Sequence, residues 1–522
     1  MRCWMRWRLL SDMRALISLI LTIALLAGAQ AAEFNGLAPE SWTGVEDSHG
    51  VYAFKGIPFA TPPVGDLRWQ PPAPYHPRKQ SHVADHFAPA CMQGPHIENW
   101  YKDLVRFGGK DPDLIKSPEG GYDEDCLYLN IWSRDLKPDE KMPVMVWIHG
   151  GSNKGGWSYE PNYHGQVLAK QDVVVVSVPY RNGIFGFFSH PDLIKEQSGT
   201  AGNYGLLDLI AALQWIQSHI DDFGGDPGNV TIFGESAGAA NIGYLMASPM
   251  ADGLFHRAIH QSAGYQQHQT ETLIEQTRTG SALSRRLDIE GVATMRNLDA
   301  EDLLAAVEQH LPGLEYGAAI GGHGLTASPY EVFDAGRQVA VPLMIGTNAS
   351  EWLMYIGDGD DLDGHLRSYE LLEQRTEIEH LLSPLDRKNK LDRIATAYYM
   401  LCPSLEMAGA VSARQQSAYV YHFTRVREGP LGRQVGAYHG AEIPYVFGTH
   451  DDWLVTNEGD DRLTLQVQQY WLNFARLGNP NGNGQAKWQE YNPEAPRVIN
   501  LGDEISMKAA PDGALCRIMG YR

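Results

Sequence analysis

The chain has 522 residues, 43% of them hydrophobic, with 13 Trp and 24 Tyr, enough for a large core. Its formal net charge of −21 argues against nucleic acid and anionic membranes as partners. No cysteine pair or histidine cluster has zinc spacing, so no metal and no cofactor is expected.

Arg2, Arg6, Arg8 and Arg14 make a basic start, and an apolar stretch runs from Ala15 to Ala27, broken only by Ser18 and Thr22. Ala29-Gln30-Ala31 fits a small-x-small cleavage site. This predicts a signal peptide over 1–31 and export to the periplasm or beyond the cell. The stretch is short for a membrane span, which needs about 20 apolar residues. Cleavage would leave 38 basic and 62 acidic residues, a net charge of −24. Such a field mildly favours cationic over anionic substrates and is screened by salt. The remaining residues, 32–522, contain no Pro/Ser linker, repeat or low-complexity tract, so a single domain is expected despite the length.

Further along, Pro143-Val144-Met145-Val146-Trp147-Ile148 reads as a buried strand running into His149-Gly150-Gly151-Ser152. That segment resembles the H-G-G-G stretch whose backbone N–H groups build half of an oxyanion hole in esterases. Gly151, Ser152 and, after the nucleophile, Ala237 are the expected donors. Val173–Val178 is a β-branched run, as in a strand buried on both faces. Leu206, Leu209, Leu213, Ile216 and Ile220 mark one stripe of a helix. Asn229–Phe233 reads as another strand and leads into Gly234-Glu235-Ser236-Ala237-Gly238, after which a helical pattern follows. Strand, G-x-S-x-G and helix together define a nucleophile elbow, with Ser236 exposed at the strand end. The alternation of strands and helices predicts an α/β protein with a large, mostly parallel central sheet flanked by helices, carrying helical insertions.

A serine nucleophile needs a base, and the base needs a carboxylate. On an elbow of this type they follow in the order Ser, Asp/Glu, His. Glu351 follows the apolar strand Val341–Ile345 and its polar end, Gly346-Thr347-Asn348. His439 lies in the Gly-flanked run Gly436–Glu442, after the alternating strand Ala418–Phe423. Position alone does not select His439 from 19 histidines.

Several motifs resemble those of the type-B carboxylesterase and cholinesterase family of α/β-hydrolases, and they span nearly the whole mature length. They are Phe54–Gly65 with Leu67-Arg68-Trp69, Glu124–Trp132, Gly202–Asp208, Phe223–Pro227, the elbow, Tyr470–Ala475, and Gly478–Asn481. The resemblance implies that Glu351 and His439 complete the triad of Ser236, and that the activity is carboxylic ester hydrolysis of broad specificity, with an ester and water as reactants. It implies a disulfide between Cys91 and Cys126 and a second between Cys402 and Cys516, one of the three pairings four cysteines allow. Trp100, Glu235, Tyr265, Met354 and Tyr355 are the residues it suggests for the substrate pocket. Ser152 departs from the Gly or Ala of many relatives and narrows the room for a bulky alcohol. A choline-specific site is not expected, because Trp100 lies closer to Cys91 than in cholinesterases. The intact serine argues against the non-catalytic adhesion proteins of the family. An amide- or acyl-transfer role would use the same triad.

Two apparent motifs are set aside. Asp358–Gly364 suggests a calcium loop, but Leu362 stands where a ligand oxygen is needed, so a solvated acidic turn is expected. The sequons at Asn229 and Asn348 fall in a core strand and beside Glu351.

Overall fold

The computed structural model describes residues 31–34, 41–76, 81–450 and 453–521. Apart from Ala31, where a described strand begins, the expected signal segment lies outside these residues. Eight strands build the centre of the sheet: β1 (Tyr128–Ser133), β2 (Met142–Ile148), β3 (Val174–Val178), β4 (Gly225–Glu235), β5 (Arg257–Gln261), β6 (Leu343–Asn348), β7 (Ala418–Phe423) and β8 (Arg497–Leu501). They lie in the order β1-β3-β2-β4-β5-β6-β7-β8. From β3 to β8 every neighbouring pair is parallel, while β1 is antiparallel to β3. Antiparallel strands extend both edges.

Side chains alternate strictly across this sheet. On β2, Val144, Val146 and Ile148 join one core cluster, whereas Met145 and Trp147 join another on the opposite face. Continuous apolar runs such as Val174-Val175-Val176 are what a strand buried on both sides requires. Helices α2 (Tyr204–His219) and α3 (Ala237–Ala247) pack on the first face, and α4 (Glu458–Leu477) on the second. Helix α1 (His96–Phe107) lies in the segment closed by the Cys91–Cys126 disulfide.

Helix α2 departs from the one-sided stripe expected of it. Leu207, Ile210, Ala212 and Trp215 are buried as well. The short helix Gly183–Gly186 packs against it, and the Gly324 loop lies beside its Ile210 and Leu206 side chains, so its outer side is covered too.

Motifs far apart in sequence meet in space. Arg68 Nε donates to Glu124 at 2.7 Å, joining the Leu-Arg-Trp and Glu-Asp-Cys signatures. Arg181 forks onto the fully buried Asp208 at 2.8 Å through two nitrogens, a bidentate geometry that suits a buried pair. Cys91–Cys126 and Cys402–Cys516 are both bonded. The acidic turn at 358–364 starts a helix, with Asp361 accepting from the Gly364 N–H.

Strand β2 is the switch point. The chain passes from β2 to β3 on one side, then returns to place β4 on the other side. Crevices form at the carboxyl ends of strands flanking such a reversal. The ends of β2 and β4 carry His149 and Ser236.

Candidate active site

Ser236 sits between the end of β4 and the start of α3 with φ 55° and ψ −127°, a strained conformation for a residue with a Cβ. Its glycine neighbours explain why the chain can turn there. A Cβ on Gly234 would lie 2.6 Å from the Ile148 carbonyl oxygen, and one on Gly238 would overlap the same oxygen. The elbow therefore packs directly on the end of β2. The Ser236 N–H is fixed by the Gln261 carbonyl at 2.9 Å.

Glu351, fully buried, follows the end of β6. One oxygen accepts from Ser262 Oγ at 2.7 Å and from the Asn348 N–H at 2.6 Å; the other lies 2.7 Å from His439 Nδ1. Behind it, Asn348 Nδ2 donates to Glu442 at 2.6 Å and to the Tyr438 carbonyl at 2.8 Å. Gln261 links Glu442 to Trp471 of α4. These bonds tie β6, the His439 loop and α4 into one frame. They also occupy the Asn348 side chain, in agreement with setting its sequon aside.

His439 Nε2 lies 3.2 Å from Glu235 Oε1, so the ring has a carboxylate at each nitrogen. Burial alone would lower its pKa, but the charges of Glu235 and Glu351 and the Glu351 hydrogen bond outweigh burial and raise it to about 10. Burial pushes Glu235 up to about 8, with Glu442, Glu351 and Glu160 adding to the rise against the opposing pull of His439.

Ser236, Glu351 and His439 line one cavity of about 660 Å³, with Gly150, Gly151, Ser152 and Glu235. The loop after β2 is strained: Gly151 has φ 105°, and Ser152 and Asn153 have φ 57° and 53°. A Cβ on Gly151 would overlap the Gly155 carbonyl. Only glycine fits at Gly151, whereas at Ser152 and Asn153 a left-handed backbone is imposed on residues with side chains.

Of the residues suggested for the pocket, Trp100, Glu235, Tyr265 and Tyr355 line the cavity. Trp100 Nε1 donates to Tyr355 Oη at 2.9 Å, joining α1 to the turn after Glu351. Met354 is not among the lining residues and packs against the second core cluster. Trp352, two positions earlier, lines the cavity instead, 6.2 Å from the His439 ring. Sequence reasoning also missed Glu160, a buried lining residue bonded to Tyr101 Oη at 2.5 Å and to the Trp157 N–H. Burial raises its pKa to about 7. A carboxylate two residues after a Trp-Ser pair gives no local signal of that role.

The doubly wound sheet, with an elbow at its switch point and helices on both faces, makes this protein an α/β-hydrolase. Residues 41–519 match the carboxylesterase family. The fumonisin B1 esterase of Sphingopyxis macrogoltabida is 32% identical over 492 residues, covering 87% of this chain and 84% of that one. The para-nitrobenzyl esterase of Bacillus subtilis (strain 168) is 33% identical, covering 89% and 94%. A solved PNB esterase structure superposes with a TM-score of 0.80 at 29% identity, covering 95% of this chain and all of that one. The chain belongs to the carboxylesterase family; it is a carboxylesterase, an enzyme that hydrolyses carboxylic esters.

Proposed function

We propose that the enzyme is a serine carboxylesterase of broad specificity for small and medium esters, working through Ser236, His439 and Glu351. The observation that carries this reading is the 2.7 Å contact of Glu351 with His439 Nδ1, in a cavity shared with a serine at an elbow. His439 Nε2 takes the Ser236 proton as the hydroxyl attacks the ester carbonyl. Glu351 holds the Nδ1–H tautomer and stabilises the imidazolium. The tetrahedral oxyanion is received by the N–H groups of Gly151, Ser152 and Ala237. The imidazolium then protonates the departing alcohol. Water, deprotonated by the same nitrogen, releases the acid from Ser236.

Glu235 shapes this cycle. Near neutrality it and His439 act as a coupled pair rather than as two independent groups. A substrate alcohol entering at Nε2 displaces that pairing.

We further propose that residues 1–31 direct export and that 32–522 act as one catalytic domain. Two disulfides fit an oxidising compartment. No helix among the described residues is long and apolar enough to cross a membrane. The test is turnover of short-chain 4-nitrophenyl esters by mature protein beside Ser236→Ala. Loss of turnover in the variant is expected; equal turnover would overturn the assignment.

A further inference from the structure

Glu351 is held by more than the bonds to its carboxylate. The next peptide N–H, that of Trp352, donates to Asp392 Oδ1 at 2.8 Å. Asp392 lies on the helix Arg387–Thr396 and is only 3% exposed. Thr396 Oγ1 donates to the same oxygen at 3.3 Å. Burying a carboxyl group costs free energy unless hydrogen bonds offset it. Here the backbone donor that does so is the peptide joining Glu351 to Trp352. Burial raises the Asp392 pKa to about 7 against the pull of these two bonds, with the charge of Glu351 adding to the rise. Protonated or ionised, the carboxyl group keeps an oxygen that accepts from Trp352.

The same stretch of chain meets the site at two further points. The helix continues into one π-helical turn, Ala397–Leu401, whose Tyr399 and Met400 line the cavity. Pro403 has no N–H for the Tyr399 carbonyl four residues back, which breaks the regular α pairing there. Single π turns of this kind are frequent at functional sites. The Tyr399 ring stacks on Trp352, with centroids 4.9 Å apart and planes 16° from parallel, and Trp352 lies 6.2 Å from the His439 ring. The Met400 carbonyl packs on the turn after Ser262: a Cβ on Gly264 would lie 2.9 Å from it. Ser262 is the side chain that donates to Glu351 Oε1. The C-terminal segment fixes this arm in turn. Arg393 pairs with Asp512 at 2.5 Å, Tyr521 Oη donates to the Tyr398 carbonyl at 3.2 Å, and Cys402 is bonded to Cys516.

We infer that Asp392 is a positioning residue of the triad: by fixing the Trp352 N–H it sets the course of the chain leaving Glu351, and with it the carboxylate that meets His439 and the indole beside the imidazole. Asp392 is not among the residues that line the cavity, so it acts through Trp352 and not on substrate. The inference rests on the Ser236, His439 and Glu351 reading and adds a residue to it.

The test is steady-state turnover of 4-nitrophenyl acetate by three variants. Asp392→Leu and Asp392→Ala lack the acceptor, whereas Asp392→Asn keeps a carbonyl oxygen in its place. In the first two, kcat is expected to fall roughly tenfold with KM little changed, and Asp392→Asn is expected to recover most of that loss. A double-mutant cycle with Glu351→Gln separates aim from general stability. Once the glutamate charge is gone its aim matters little, so adding Asp392→Ala or Asp392→Leu to Glu351→Gln is expected to change kcat by less than about threefold. A merely structural role would lower the thermal midpoint and multiply its full loss onto Glu351→Gln. Full kcat in a folded variant lacking the acceptor, a loss that multiplies in the cycle, or an equal loss in Asp392→Asn would overturn the inference. So would failure of both Asp392→Leu and Asp392→Ala to fold beside a folded Asp392→Asn, since Asp392 would then serve folding alone. Full turnover by Ser236→Ala would instead remove the triad reading itself; loss there with no effect at Asp392 sinks only the positioning role.

Discussion

His439 stands between two glutamates, with Nδ1 2.7 Å from Glu351 and Nε2 3.2 Å from Glu235. The sequence points to activity falling as His439 protonates near or below neutral pH. The second carboxylate changes that. An anion at Nε2 favours the imidazolium, so the base is freed only at higher pH. Glu235→Gln removes that attraction and lowers the His439 pKa. The acid limb of kcat/KM is therefore expected to move down by about one pH unit or more. A pH–rate profile of the two enzymes checks this; an unmoved limb would exclude Glu235 as the cause.

Much of this site is legible in the sequence because it is built from backbone constraints. Gly234 and Gly238 are required where the elbow meets the Ile148 carbonyl, and such requirements leave fixed letters at fixed spacing. Ser236 follows from that pattern with its flanking strand and helix, whereas the loop after β2 is marked by its likeness to the H-G-G-G stretch of esterases. His439 does not: a loop histidine has no local signature, and only the likeness to a family singled it out. Strands β2, β3, β4 and β7 appear as apolar or alternating runs. The walls of the cavity are harder to read. Glu160, Trp352 and Gln276 line it because distant segments of the chain meet there, whereas Met354, two residues from Trp352, packs half-buried against the second core cluster.

Glu351 also depends on Ser262. The Ser262 hydroxyl and the Asn348 N–H both donate to Oε1, leaving Oε2 for His439. Ser262→Ala removes one of those donors and frees the carboxylate to rotate. The expected result is a fall in kcat of about tenfold with KM little changed, since the loss concerns the imidazolium formed in the transition state. Steady-state kinetics on one ester reads this directly, and an unchanged kcat would show that Asn348 suffices.

Ser152 holds φ 57° on the loop after β2, is exposed, and lines the cavity. Ser152→Gly keeps the N–H donor, suits the left-handed backbone, and clears space beside the nucleophile. Esters of tertiary alcohols are expected to gain more than those of primary ones. The ratio of kcat/KM for tert-butyl and n-butyl acetate should rise. A constant ratio would place the limit on the alcohol elsewhere in the cavity.

The Cys91–Cys126 bridge closes the segment holding α1 and therefore Trp100. With a sequence separation of 35, its chain-entropy contribution is about 3–4 kcal/mol. Replacing both cysteines by serine is expected to lower the thermal midpoint and make it insensitive to reductant at this site. Because Trp100 donates to Tyr355 across the cavity, the double variant should also lose activity before global unfolding. Following activity and circular dichroism along one temperature ramp separates the two events. Coincident loss in both would argue that α1 is held by packing alone.

Asn153 does more for the site than its place in a loop suggests. It is 2% exposed and left-handed, and it makes bonds in three directions. Its Oδ1 accepts from Asn241 of α3 at 2.8 Å, its Nδ2 donates to the Tyr316 carbonyl, and its own carbonyl accepts from the Gly183 N–H. One side chain thus ties α3, the loop after β2 and the Tyr316 wall of the cavity. Asparagine tolerates this backbone better than most residues, so Asn153→Gly should relieve the backbone while cutting both side-chain bonds. Asn153→Asp keeps the acceptor for Asn241 and loses the donor to Tyr316. If the side chain aims the Ser152 N–H, both variants should lose kcat by roughly tenfold or more and bind a boronic acid transition-state analogue correspondingly less tightly. Substrate KM should change less than either. A purely structural role would instead lower the thermal midpoint without weakening the analogue relative to the substrate, and that result would remove Asn153 from the positioning of the oxyanion hole.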